Sequence, residues 1–440
     1  MNRQFYIETF GCQMNEYDSE KISGLLNSQG YMETTLRDEA DLIIFNTCLI
    51  RENAENRLYG NLGEVKRLKL ANKEKIIAVC GCMPQNQKVR EKMLKMYPFV
   101  DLIFGTNTYD QLPELLYDIE QKKKKKVISI EENSDNLKEE VPKSRKFSHK
   151  AFVNIMYGCN NYCSYCVVPY TRGRERSRDR QEIIDEVIGL GQNGFKEITL
   201  LGQNVNSYGN DIDDRYQFPD LLRDLNGIEG IERIRFISSH PKDVNLEFIK
   251  AIKECDKVCN QIHLPVQSGS TKVLREMNRK YTREQYLDFV RMAKAEIPDI
   301  SISTDIITGF PGETEDDFND TLSLVEEVQF DSAFTFIYSI RPGTTAGKRT
   351  DQINDRVKHE RFDRLLKTLY PIFEANNLQY IGRTVSVLVD DVSKNKESYL
   401  TGRSESGKLV HFTGQKDLIG QMVDVRIEKA RTWYIEGTIV

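Results

Sequence analysis

The 440-residue chain holds one tryptophan and five histidines, and it has no run approaching the ~20 apolar residues that span a bilayer. A helical membrane protein is thereby excluded. The opening MNRQFYIETFGCQMN lacks the basic segment and apolar stretch of an export signal, so the expected compartment is the cytoplasm. Charge of one sign is also missing: 62 Lys and Arg against 67 Asp and Glu leave a net −5, which offers no whole-chain argument for nucleic acid. Any RNA-binding surface has to come from local patches or from architecture. With 27 glycines and 12 prolines the composition is neither collagenous nor low-complexity, and at ~150 residues per domain about three domains are expected. His149, His240, His263, His359 and His411 show no H-x3-H pairing; His240 and His263 end predicted strands and either line a cavity or serve structure.

Cysteine is what the chain does have. Cys12, Cys48, Cys80, Cys82, Cys159, Cys163, Cys166, Cys255 and Cys259 are odd in number, and a reducing compartment disfavours disulfides. Metal or redox chemistry becomes the leading use of the thiols.

Over residues 2–121, short β-rich runs (QFYIETF, DLIIFNT, KIIAVCG, FVDLIFG) alternate with helical patterns, which predicts a flavodoxin-like parallel sheet with helices on both faces. Lys122 to Lys150 carries five consecutive lysines and the polar stretch EENSDNLKEEVPKSRK, either a solvated linker or strand edge or an RNA-contacting patch. Over 145–377 six further strands, FVNIMY, KEITLLG, RIRFISS, QIHLPV, ISISTDIIT and SAFTFIY, alternate with helices. Six are too few for a closed eight-stranded barrel, so a partial (β/α)6 barrel is expected, with its site at the strand C-terminal ends. Over 380–440 the period shortens to alternating segments broken by Gly, Asn and Ser, predicting a small antiparallel OB-like β-barrel. Arg383 to Val440 holds nine basic and eight acidic residues, so the RNA inference there rests on architecture. Trp433 and Tyr434 can stack on bases or pack in that barrel.

Two groups of three cysteines follow this organisation. Cys159, Cys163 and Cys166 stand in GCNNYCSYC directly after the first barrel strand, and three thiolates can hold three corners of a 4Fe-4S cubane while one iron stays open. Zinc would want four protein ligands, or three with a water, and no nitrogen ligand stands at finger spacing. Cys12, Cys48 and Cys82 are separated by 36 and 34 residues, about one βα unit each, and each follows a predicted strand. Parallel strands share one C-terminal edge, so these thiols can converge into a second three-ligand site; three unrelated buried cysteines are the alternative. Cys80 belongs to its strand and is read as a core thiol, Cys255 and Cys259 as free thiols.

The C-x3-C-x2-C loop resembles the signature of the radical S-adenosylmethionine (SAM) superfamily. Together with TFGCQMNEYDSEK, NTCLIRENAE, GCMPQ, PYTRGRERSR, LLGQNVNSYG, HLPVQSGS, MNRKYTRE, DIITGFPGET and TFIYSIRPGTTA, it makes the chain similar to the radical-SAM methylthiotransferases over about Gln4 to Val440, and within them to the isopentenyladenosine tRNA branch. SIRPGT departs from the family at Ile340, where proline is expected. The resemblance implies an N-terminal methylthiotransferase domain, a radical-SAM core and a C-terminal TRAM domain. It implies two 4Fe-4S clusters and two uses of SAM, one as radical source and one as methyl donor, with sulfur presented at the auxiliary cluster on Cys12, Cys48 and Cys82. The product would be 2-methylthio-N6-dimethylallyladenosine at position 37, beside the tRNA anticodon. The C2 hydrogen there has no acidity for a base to exploit, which is why a radical is needed. The implied partners are a tRNA anticodon stem-loop bearing N6-isopentenyladenosine, a sulfur donor and a low-potential electron donor such as flavodoxin; no membrane is implied, and the chain is expected to be a monomer.

Several further residues are candidates. Gln203, Asn204, Gln267, Ser268 and Asp305 fall at or near barrel strand ends and are expected to contact SAM or to serve structural hydrogen bonding. Arg172, Arg174, Arg176 and Arg178, in RGRERSRDR after the cluster loop, are expected to contact RNA or SAM, or else to pair with nearby acids. Asp18, Ser19 and Glu20 match the family's DSE string without an evident role, and GFPGE followed by Thr314 reads as a turn and helix cap. Two rival readings are open. One keeps the chemistry and moves it to threonylcarbamoyladenosine in tRNA or to a ribosomal protein; the other is a non-catalytic iron-sulfur RNA-binding protein.

Overall fold

A computed structural model describes residues 3–49, 52–131, 140–212, 215–393 and 398–440. The N-terminal sheet comprises β1 (Gln4–Thr9), β2 (Met32–Glu33), β3 (Leu42–Thr47), β4 (Ile76–Gly81), β5 (Leu102–Phe104) and β6 (Val127–Ser129), all parallel, in the order β2-β1-β3-β4-β5-β6. Every residue of β3 and β4 is buried, as their near-continuous apolar sequences require of central parallel strands. Alternation divides them. Leu42, Ile44, Ile76 and Ala78 pack under α1 (Gln13–Ser28) and α5 (Leu112–Glu120), whereas Ile43, Phe45, Ile77 and Val79 pack under α2 (Glu52–Ala71) and α4 (Gln87–Met96), with the short α3 (Cys82–Gln85) between strand and helix. The chain reverses its strand order between β1 and β3, the crevice where open α/β sheets bind ligands.

Much of the polar stretch after β6, residues 132–139, lies outside the described residues. From Glu140 the linker runs across α1: Gly24 leaves room for the Pro142 carbonyl, and the Ser144 amide donates to the Glu20 carbonyl at 2.9 Å.

The central domain is an open arc of six parallel strands, β7 (Lys150–Asn154), β10 (Glu197–Leu201), β11 (Arg233–Phe236), β12 (Gln261–His263), β13 (Ser301–Thr308) and β14 (Ser332–Ile337). A parallel bridge from Ile234 to Val258 joins its halves. A two-stranded ribbon, β8 (Met156–Tyr157) with β9 (Arg176–Ser177), flanks the cysteine loop and α6 (Val168–Thr171). The outer face is covered by α7 (Arg180–Gln192), α8 (Phe218–Asn226), α9 (Leu246–Glu254), α10 (Thr271–Glu276), α11 (Arg283–Glu296), α12 (Glu315–Val328) and α13 (Asp355–Leu378). Thr314 and Asp317 form the expected capping box at the start of α12. On β13, Ile302, Thr304, Ile306 and Thr308 are buried, while Ser303, Asp305 and Ile307 are half-buried and face the concave side.

The C-terminal strands β15 (Thr384–Val392), β16 (Tyr399–Ser404), β17 (Leu409–Thr413), β18 (Met422–Ala430) and β19 (Ile435–Ile439) close into a barrel in the order β15-β16-β17-β19-β18. Its pairings are antiparallel apart from β17 with β19, which is parallel. This barrel sits under the N-terminal rim of the central arc. Lys150 reaches Asp390 at 2.6 Å, Arg233 donates to the Arg403 carbonyl at 3.0 Å, and Arg235 donates to the Ser404 and Glu405 carbonyls at 2.7 and 3.0 Å. The rim it occupies is one strand length, ~15–25 Å, from the C-terminal ends. Trp433 lies against Tyr370 and Phe373 of α13 yet stays 57% exposed, and Tyr434 packs edge-on to His411.

Candidate active site at the strand C-terminal ends

Cys12 stands between β1 and α1, Cys48 directly after β3, and Cys82 opens α3 directly after β4. Gly11 has φ +136°, and a Cβ there would lie 2.7 Å from that of Cys48, so only glycine lets the first two loops approach. The fully buried Asn15 and Asn46 lock them together. Asn15 donates to Asn46 Oδ1 at 3.1 Å and to the Thr47 carbonyl at 3.0 Å, and Asn46 donates back to the Asn15 carbonyl at 2.8 Å. The Cys12 thiol donates to Asn15 Oδ1 at 3.4 Å. Burial pushes the Cys82 thiol up to about 12, against the pull of the Arg172 cation, and the Cys48 and Cys12 sulfurs push the same way as burial. The three thiols are therefore electrostatic neighbours. Cys80 packs on the opposite face of the sheet with Ile44 and Phe104, as a core thiol should.

The second triad lies on the loop after β8. Gly158 has φ +68° and abuts the Arg174 carbonyl, which turns the chain into the cysteines. Each sulfur receives a donor: Asn161 Nδ2 to Cys159 at 3.3 Å, Arg279 Nη1 to Cys163 at 3.4 Å, and the Val168 amide to Cys166 at 3.4 Å. Burial raises Cys159 and takes Cys166 up to about 12, with the neighbouring Cys163 sulfur adding to the latter. Such thiols must lose protons to bind iron, and donors aimed at sulfur favour the thiolate. Arg279 is itself fixed by the Pro265 carbonyl at 2.8 Å and the Tyr281 hydroxyl at 2.9 Å.

The two loops meet. Val167, next to Cys166, belongs to the same buried cluster as Cys48, Cys82 and Met83, and Thr106 donates to the Thr171 carbonyl at 2.8 Å. Cys12 packs against the buried cluster of Met14, Tyr17 and Leu201, which Phe152 and Ile237 of the central arc cover as well. Among the described residues no three His, Cys, Asp or Glu side chains come close enough to share one metal ion. A zinc tetrahedron with 2.3 Å bonds would bring its sulfurs to ~3.8 Å. A cubane takes three thiolates on three different irons and leaves the fourth iron open, and three thiols without a fourth protein ligand are the donor set each triad offers.

Beside the second triad, the loops after β10 and β11 present buried polar atoms with no hydrogen-bond partner: Gln203 Oε1, Asn204 Oδ1, Ser239 Oγ and His240 Nε2, with Asn161 Oδ1 on the cysteine loop. The loops are tied by reciprocal bonds between Asn206 and the His240 backbone, at 2.9 and 3.1 Å. His240 Nδ1 accepts from the Lys242 amide, so the orphaned Nε2 carries the proton; burial, then Arg279 and Lys242, drive its pKa down and keep the ring neutral. Its ring lies 5.7 Å from Tyr281, the residue that holds Arg279. Orphaned buried polar atoms are what a bound polar cofactor would satisfy.

Not every expected contact falls here. Gln203 and Asn204 do, and Asp305 faces the concave side with His263 Nε2 at 3.4 Å. Gln267 contributes its backbone, at φ +71°, as a bridge to β13. Ser268 is turned instead to Thr321 and the Ser270 amide, a buried structural role. Arg172 and Arg178, expected at RNA or SAM, are buried: Arg172 pairs with Asp18 at 2.8 Å and Arg178 with Glu186 at 2.9 Å, since loop and linker fold them inward against acids of neighbouring helices. Arg176 lies over the Tyr157 ring, and Arg174 is exposed.

Three stretches of the chain match known families. Residues 153–325 match the radical SAM superfamily, residues 4–105 the uncharacterized protein family UPF0004, and residues 378–440 the TRAM domain. A protein of Clostridium tetani, strain Massachusetts / E88, named tRNA-2-methylthio-N(6)-dimethylallyladenosine synthase, is 55% identical over 433 residues, 98% of this chain and 95% of its own length. Its namesake in Clostridium perfringens, strain SM101 / Type A, is 54% identical over 438 residues, covering 99% of this chain and 97% of that one. The chain belongs to the tRNA-2-methylthio-N(6)-dimethylallyladenosine synthase family. The radical SAM methyltransferase TsrM of Kitasatospora setae, 14% identical, superposes with a TM-score of 0.59 over 79% of this chain and 77% of its own. The cobalamin-dependent SAM radical enzyme OxsB, 16% identical, does so at 0.57 over 84% and 57%. At such identity these two speak for the fold alone.

Within this family member, Ser239, Arg279 and the Asp18–Arg172 pair were missed from sequence. Only the adjacency of Ser239 to His240 at a strand end offered a signal; the others are pairings across 116 and 154 residues.

Proposed function

We propose that this chain converts N6-dimethylallyladenosine at position 37 of tRNA to its 2-methylthio derivative. The observation that supports the reading is the packing of two three-cysteine loops against each other at the strand C-terminal ends, where each set of three thiols would hold a 4Fe-4S cluster and leave one iron for another ligand. When bound, the clusters and SAM supply the one-electron chemistry that removes an inert C2 hydrogen, together with the sulfur and the methyl group.

Cys159, Cys163 and Cys166 would hold the cluster that chelates SAM, and Asn161, Arg279 and the Val168 amide each donate to one of those sulfurs. Gln203, Asn204, Ser239 and His240 orient the SAM through their otherwise unpartnered atoms. Cys12, Cys48 and Cys82 hold the auxiliary cluster from across the mouth. On the concave side, Phe334 and Phe336 are 57% and 39% exposed next to Asp305 and His263, an apolar shelf suited to the dimethylallyl group. Arg174, exposed after the cysteine loop, is the residue that would meet backbone phosphate. Among the described residues no helix is long and apolar enough to cross a membrane, in keeping with a cytoplasmic protein. A low-potential electron donor such as flavodoxin and a sulfur donor complete the reaction, and the working unit is a monomer.

The test is anaerobic incubation of the reconstituted protein with SAM, reductant and one of four substrates: isopentenylated tRNA, the same tRNA unmodified, threonylcarbamoylated tRNA, or ribosomal protein. Mass spectrometry of the digests should reveal a methylthio group replacing hydrogen on isopentenyladenosine alone. A methylthio product on another substrate, and none on isopentenyladenosine, contradicts the reading.

A further inference from the structure

We propose that Arg172 is the counter-cation of the auxiliary cluster, delivered from the other cluster's loop and fixed by Asp18, and that this pair sets the auxiliary cluster's reduction potential. The inference rests on the reading of Cys12, Cys48 and Cys82 as cluster ligands.

Arg172 follows α6, six residues beyond Cys166, yet its guanidinium enters the N-terminal domain. Nη2 bonds Asp18 Oδ2 at 2.8 Å, and both side chains are 5% exposed. The route is fixed by packing, with Val167 among Cys48, Cys82 and Met83 and the Thr171 carbonyl held by Thr106. Asp18 lies on α1, the helix that begins beside Cys12, and its Oδ1 has no hydrogen-bond partner. Cys82 and Cys12 both feel the guanidinium.

A buried ion pair is a poor way to gain stability, because apolar replacements of similar volume often do as well or better. A fixed charge beside cluster thiolates has a different effect. Reduction adds an electron, so a nearby cation favours the reduced cluster and raises its potential, and a nearby anion lowers it. The other triad has its own buried arginine, Arg279, on Cys163. Each triad is thus met by a buried guanidinium, and the one at the auxiliary site comes from the central domain.

In Arg172→Gln the auxiliary potential falls, by about tenfold in the reduced-to-oxidised ratio at fixed potential, or ~59 mV for a one-electron couple. In Asp18→Asn it rises, and in Arg172→Lys it stays near that of the unaltered protein. The measurement is an EPR-monitored redox titration of anaerobically reconstituted protein, in the full chain and in a background lacking Cys159, Cys163 and Cys166. A purely structural role would move the two neutralising variants in the same direction or leave both unmoved, and either result overturns the proposal. If Arg172→Gln fails to retain auxiliary iron, retention restored by Arg172→Lys supports the need for a cation there, and loss in both overturns it. Iron content of the unaltered protein separates the two levels: about four irons instead of about eight refutes the auxiliary cluster itself, whereas about eight with an unmoved potential refutes only the role of Arg172.

Discussion

Gly11 carries more of the site than its size suggests. Its left-handed φ and the 2.7 Å approach of a would-be Cβ to Cys48 mean that alanine must displace one of two cysteine loops. Gly11→Ala should therefore lose the auxiliary cluster and keep the other, halving bound iron from about eight to about four per chain. Gly30→Ala is the control. It shares a positive φ but has open space around its Cβ, so it should cost stability without iron. Equal iron in Gly11→Ala and the unaltered protein, by colorimetric assay, would rule out this account of the loop. What spacing made legible was position: the six cysteines lie on loops at strand C-terminal ends, as their intervals of about one βα unit and their place after predicted strands imply. Asp18 and Arg172 were visible as residues and not as a pair, because pairing across 154 positions depends on how the domains dock. Ser268 misled because a strand-end position says nothing about which way a side chain turns.

At the level of elements, the linker and α1 are bound to the central domain by an ion-pair network. Glu186 of α7 accepts from Arg145 at 2.6 Å, from Lys143 at 2.9 Å and from Arg178 at 2.9 Å, while Arg145 also meets Glu20 of α1 at 2.9 Å. Burial alone would raise the Glu186 carboxyl; Arg178, Lys143 and Arg145 outweigh it and hold it at about 2. Lys143 is itself pushed down by burial despite its partner. Because Glu186 is depressed below its unfolded value, its contribution is present above pH ~4.5 and lost as pH falls toward 2, a window on the order of 3 kcal/mol. In urea unfolding of iron-free protein, Glu186→Gln should be less stable at pH 7, and the gap should close on acidification; a gap that widens would contradict the assignment. Sequence periodicity located the long elements well, including α5 and all five strands of the C-terminal barrel. It missed β2 and β6, because edge strands of two and three residues leave no periodic signal.

The whole molecule puts its chemistry and its small barrel at opposite ends of one strand length. Both triads gather at the C-terminal edges, and the TRAM barrel is fastened through Arg233, Arg235 and Lys150 to the other rim. An anticodon loop at the mouth would therefore reach the TRAM barrel only by running along the side of the central domain. The two three-thiol sites divide the labour, and two triple variants compared under identical anaerobic turnover with isopentenylated tRNA separate their parts. Replacing Cys12, Cys48 and Cys82 by alanine should leave reductive SAM cleavage to 5'-deoxyadenosine intact and abolish the methylthio nucleoside. Replacing Cys159, Cys163 and Cys166 should abolish both. Methylthio product from the first variant, or SAM cleavage by the second, would contradict the account.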